Sequence, residues 1–67
     1  MYVIQQLGRV FGTKSYFLKT SFGYKWVKDS VQANHMTRAE ANKLFNHYDF
    51  KEQDNMWSKY SIVKVNV

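Results

Sequence analysis

His35 and His47 are the only histidines of the chain, twelve positions apart. An imidazole is the first place to look for acid–base or metal chemistry near neutral pH. His47, with Asp49 two residues on, is the pairing within reach of such chemistry. The sequence holds no H-E-x-x-H, no third ligand at a suitable spacing and no Cys, so His47 reads as a solvated histidine at a helix end. The acids are Asp29, Glu40, Asp49, Glu52 and Asp54. The last three crowd one stretch and have the oxygen chemistry a cation needs. They lack the residue order of a calcium loop, so a solvated acidic loop is expected. No serine sits in a nucleophile elbow, and the glycines form no phosphate cradle. The sequence therefore predicts no catalytic residue, no metal and no cofactor.

The chemistry left is recognition. Residues 1–28 carry Arg9, Lys14, Lys19, Lys25 and Lys28 and no acid, together with Tyr2, Phe11, Tyr16, Phe17, Phe22, Tyr24 and Trp26. A basic surface rich in aromatics favours an anionic partner: nucleic acid, or the acidic face of a protein.

These side chains must be positioned by strands and one helix. Tyr2 to about Val10 reads as a strand rich in β-branched and aromatic residues. Gly8 marks either a bulge inside it or its end. Gly12-Thr13-Lys14 forms a hairpin turn. Ser15–Phe22 is a second strand, and Tyr24–Val27 is either a third short strand or the second resumed after a bend at Gly23. Asp29–Met36 is an irregular connection with one helical turn near 30–33. Thr37-Arg38-Ala39-Glu40 fits a capping box. The helix it opens runs to about Tyr48, with Ala41, Leu44, Phe45 and Tyr48 on one face and Met36 stapled against Ala41. Residues 49–59 read as a polar loop. Tyr60–Val67 is a last strand in which Val63, Val65 and Val67 alternate with Lys64 and Asn66.

The expected fold class is α+β: a small antiparallel sheet of three to four strands, with one amphipathic helix on one face, as a single domain over 1–67. The helix-facing side is expected to hold Tyr16, Leu18, Leu44, Phe45, Tyr48, Val63 and Val65, with Trp26 closing one end. Strand side chains alternate, so Phe17, Lys19 and Lys64 should point away from the helix, with Arg9, Lys14, Lys25 and Lys28 around them. Such a face suits stacking on a base with phosphates held by the cations. It equally suits docking into an acidic protein groove with Phe17 as anchor. The plain alternative is that these residues only keep the domain soluble. Trp57 is a second candidate contact, and folding back over the core is its expected role in so small a domain. Exposed sheet edges offer a third route, by strand addition or homodimerisation.

Size and composition set the frame. With 67 residues, the chain buries only about 60% of its unfolded surface, so its stability is marginal. The absence of Cys removes disulfides and fits a reducing cytosol. No apolar run approaches the ~20 residues of a membrane span. The start, Met1-Tyr2-Val3-Ile4-Gln5-Gln6, is unlike a signal peptide, and the chain is expected to be complete. Net charge is +5, which is compatible with nucleic-acid binding.

The start Tyr2-Val3-Ile4, the run Tyr16-Phe17-Leu18-Lys19, Trp26, the stretch from Ala33 through Met36-Thr37 to Glu40-Ala41, and Ile62-Val63 with Val65 together resemble a class of small bacteriophage proteins. These are built as hairpin, helix and closing strand, mostly without assigned function. Met36 stands where an aromatic is usual in that class. The resemblance implies a phage origin and a non-enzymatic role against a bacterial component, and it carries over no binding residue. The expectation is thus a non-catalytic phage protein of the host cytoplasm. It would inhibit a bacterial host or immune protein, of nuclease or CRISPR type, by occluding a functional surface. The alternative is a basic nucleic-acid-binding domain.

Overall fold

A computed structural model of the chain describes residues 1–65. The elements are β1 (Tyr2–Gly8), β2 (Lys14–Thr20), β3 (Gly23–Val27), α1 (Arg38–His47) and β4 (Ser58–Lys64). The strands form one antiparallel sheet in the order β3-β2-β1-β4. The helix lies over β1 and β4 on one face, which makes this a small α+β fold. Tyr24–Val27 belongs to a strand of its own, paired to β2 from Tyr16↔Val27 to Thr20↔Gly23. Gly8 is the last residue of β1, two positions before the expected end, and Phe22 lies in the β2–β3 turn outside β2. Val67 lies outside the described residues.

The core is Ile4, Phe17, Met36, Ala41 and Phe50, with Tyr2, Tyr24, Trp26, Leu44, Phe45, Tyr48, Tyr60 and Ile62 packed against it. Two expectations are corrected by the composition of this core. Phe17 is fully buried and faces the helix, so it cannot anchor a partner. Its neighbours Tyr16 and Leu18 consequently point to the opposite face, as does Val63, which pairs with Val3. Lys19 and Lys64 do share the face of Phe17, as the alternation requires, but that face is the one the helix covers. Both lysines stay exposed near its margin. The physical reason is cross-strand pairing. Phe17 stands opposite Trp26, their rings 6.2 Å apart edge to face, and Trp26 and Tyr24 must also be buried.

The second correction concerns residues 49–59. Phe50 is fully buried in the stretch expected to be a polar loop. The helix ends at Tyr48, and Asp49 takes a left-handed conformation with φ 53°. This reverses the chain so that Asp49 N–H donates to the Asn46 carbonyl at 3.1 Å and Phe50 N–H to the Phe45 carbonyl at 3.1 Å. These are the paired bonds of a Schellman C-cap, which satisfies helix-end carbonyls and places an apolar residue back against the helix. Phe50 then fills the space beside α1, among side chains of β2, β3 and β4. Its ring meets Phe17 at 6.0 Å, Tyr24 at 5.6 Å, Trp26 at 5.5 Å and Tyr60 at 5.4 Å.

The helix start forms as the sequence predicts. Thr37 Oγ1 accepts from Glu40 N–H at 3.2 Å and donates to the Glu40 carboxylate at 3.0 Å. Met36 and Ala41 are buried in one cluster.

The connection before the helix has a structural task of its own. The β1–β2 ladder runs only from Leu7↔Lys14 to Gln5↔Tyr16. Beyond it, Met36 pairs with Tyr2, while Asn34 N–H donates to the Phe17 carbonyl at 3.0 Å and Asn34 Oδ1 accepts from Lys19 N–H. Residues 34–36 therefore serve as a surrogate strand where β1 and β2 part, so backbone groups that lost their ladder partners remain satisfied.

A candidate docking surface

Two loops meet at the end of the sheet where β1 stops and β4 begins, at the Gly8↔Ser58 pair. On the β1–β2 side, Gly8 N–H donates to the Thr13 carbonyl at 2.7 Å and Gly12 N–H to the Gly8 carbonyl at 2.8 Å. Gly12 has φ 66°, a left-handed value that favours glycine. On the β4 side, Asn55 Oδ1 accepts from Trp57 N–H at 2.7 Å and Ser58 N–H at 2.9 Å, an Asx turn. Arg9 N–H donates to the Trp57 carbonyl at 2.8 Å and ties the loops together.

This tip displays large apolar side chains. Phe11 is 87% exposed and Trp57 64%, with Val10 and Met56 also exposed. Trp57 is thus turned outward rather than folded over the core, in a loop pinned by Asn55. Arg9 is exposed within the tip. Lys14 and Lys59 flank Leu7 on the sheet face away from the helix, one on each neighbouring strand. Asp54, the nearest acid in sequence, accepts Tyr60 N–H at 2.8 Å. The tip therefore joins aromatic area to three exposed cations.

The residues singled out from sequence do not form one surface. Arg9, Lys14 and Trp57 come together at the tip. Lys25 lies on the outer face of the edge strand β3, opposite Leu18, and Lys28 follows that strand, exposed. Lys19 and Lys64 belong to the helix side. Phe17 is core. Sequence reasoning missed Phe11, Met56 and Lys59 as surface contacts. The signal for Phe11 was its place against Gly12 in a tight turn, where no neighbouring strand can cover it.

The outer sheet face carries Tyr16 together with Lys14, Lys25 and Lys59. Ser58 N–H and Tyr60 N–H on β4 are engaged by the side chains of Asn55 and Asp54, which protects that part of the edge against strand addition. Among the described residues, no helix is long and apolar enough to cross a membrane.

Compared with known proteins, the chain matches no family model, no curated protein and no solved structure.

Proposed function

We propose that the chain is a non-catalytic phage protein that binds a bacterial host or immune protein, of nuclease or CRISPR type, and inhibits it by occlusion in the host cytoplasm. The observation that carries this reading is the tip, where Phe11 and Trp57 stand exposed on two bonded loops beside Arg9, Lys14 and Lys59. Binding hot spots are enriched in Trp and Arg, and they work by desolvating aromatic anchors inside a polar rim. Covering one such side chain is worth about 1.5–3 kcal/mol. The cations would select an acidic surface and speed the encounter. The phage origin rests on the sequence resemblance alone.

A second reading, nucleic-acid binding, draws support from Tyr16 on a sheet face that carries Lys14, Lys25 and Lys59 and no acid. There the bases would stack on Tyr16 and the lysines would hold phosphates.

The test is retention of partners from bacterial lysate on the wild-type chain and on Phe11→Ala/Trp57→Ala, with and without nuclease. A protein held after nuclease and lost with the double variant supports docking through the tip. A protein held equally by the double variant overturns the tip as anchor. Loss of every partner after nuclease moves the function to nucleic acid, with affinity falling steeply with salt.

A further inference from the structure

A groove of about 410 Å³ runs beside the helix, lined by Lys19, Glu40, Lys43, Leu44, His47 and Tyr48. It lies apart from the tip and owes nothing to the docking reading. Phe17 of β2 is buried beneath Tyr48 and Phe50, and Lys19, two residues on and on the same face, stays exposed at the margin of that cover. Lys43 and His47 stand one helical turn apart, so both project from the same side of α1. Tyr48 forms the inner wall, its ring 4.8 Å from that of Tyr24 and 4.8 Å from that of His47.

The charges do not balance. Two lysines line the groove against one carboxylate. That carboxylate is held at one end, because Glu40 accepts from Thr37 Oγ1 in the helix cap. Lys19 and Lys43 line this groove from different elements, so an anion held in it is attracted by both. The walls also include Leu44 and the Tyr48 ring, both half-buried, which suit an apolar group next to that anion.

We infer that this groove binds a phosphate monoester, with the phosphate between Lys19 and Lys43 and its organic group against Leu44 and Tyr48. His47, which lines the same groove, supplies a further donor.

The test is titration of the ¹⁵N-labelled full chain with inorganic phosphate and with phenyl phosphate, at constant ionic strength set with chloride. Expected are saturable shifts confined to residues around Lys19, Lys43, His47 and Tyr48, with phenyl phosphate the tighter of the two. Lys19→Gln/Lys43→Gln should weaken binding by roughly tenfold or more, the scale of lost charge-assisted bonds. Both lysines are exposed, and preserved shift dispersion shows that the variant folds. Shifts that never saturate, that spread over all the lysines, or that persist unchanged in the double variant overturn the proposal. Equal affinity for the two probes overturns the apolar half of the site.

Discussion

Phe50 and Phe45 are joined twice: their rings lie 5.8 Å apart, and the Phe50 amide donates to the Phe45 carbonyl at 3.1 Å. The bond requires Asp49 to turn left-handed at φ 53°, a conformation that costs a residue with a Cβ about 1–2 kcal/mol, less for Asp and Asn. Asp49 also places a negative charge at the negative end of the helix dipole. Asp49→Gly is therefore expected to stabilise the fold by about 0.5–1 kcal/mol, read as a higher urea midpoint at unchanged m-value. A lower midpoint would show that the aspartate contributes something its geometry does not reveal.

The reversal of β2 separates two phenylalanines that look alike in sequence. Phe17 is fully buried and Phe11 is almost fully exposed. Phe17→Ala should cost about 3–5 kcal/mol, enough to unfold a domain of this size. Phe11→Ala should change stability by no more than about 0.5 kcal/mol. Thermal unfolding followed by near-ultraviolet circular dichroism distinguishes them. Similar midpoints for the two variants would contradict the register described above.

Asn34 holds β2 where β1 leaves it. Asn34→Ala removes the acceptor of the Lys19 amide and is expected to cost about 1 kcal/mol. The local readout is faster hydrogen exchange at Lys19 with little change along β4. Asn34→Asp keeps an oxygen at the same place and should restore protection. Failure of Asp to rescue it would assign the effect to the Asn34 backbone instead.

Gly8 approaches Thr13 closely: a Cβ built there would lie 2.6 Å from Thr13 Oγ1. Gly8→Ala should destabilise by about 1 kcal/mol through this overlap. Combining it with Thr13→Ala should recover most of the loss, because the clashing atom is gone. A double-mutant cycle with no coupling between the two positions would locate the strain elsewhere.

The sequence by itself determined the features whose causes are local. The capping box needs only Thr37 and Glu40 three residues apart. The core-facing stripe Ala41, Leu44, Phe45 and Tyr48 follows from helical periodicity, and the strands follow from β-branched and aromatic runs. From these the α+β class and the hairpin, helix, closing-strand order were legible, while the pairing of Tyr24–Val27 with β2 as a strand of its own was decided by the tertiary structure. Only the tertiary structure decided which way β2 faces. Tyr16-Phe17-Leu18 is apolar on both faces, and a period of two does not say which of them meets the helix. Burying Phe17 is favoured because Trp26 from the next strand and Phe50 from beyond the helix meet on that side. Phe50 itself was hidden among Asp49, Lys51 and Glu52, since its burial depends on a single left-handed residue rather than on any repeating pattern. The tip has the same origin. Phe11 and Trp57 are far apart in the chain, and their loops meet at one end of the sheet only because β4 returns to pair with β1 at Gly8 and Ser58.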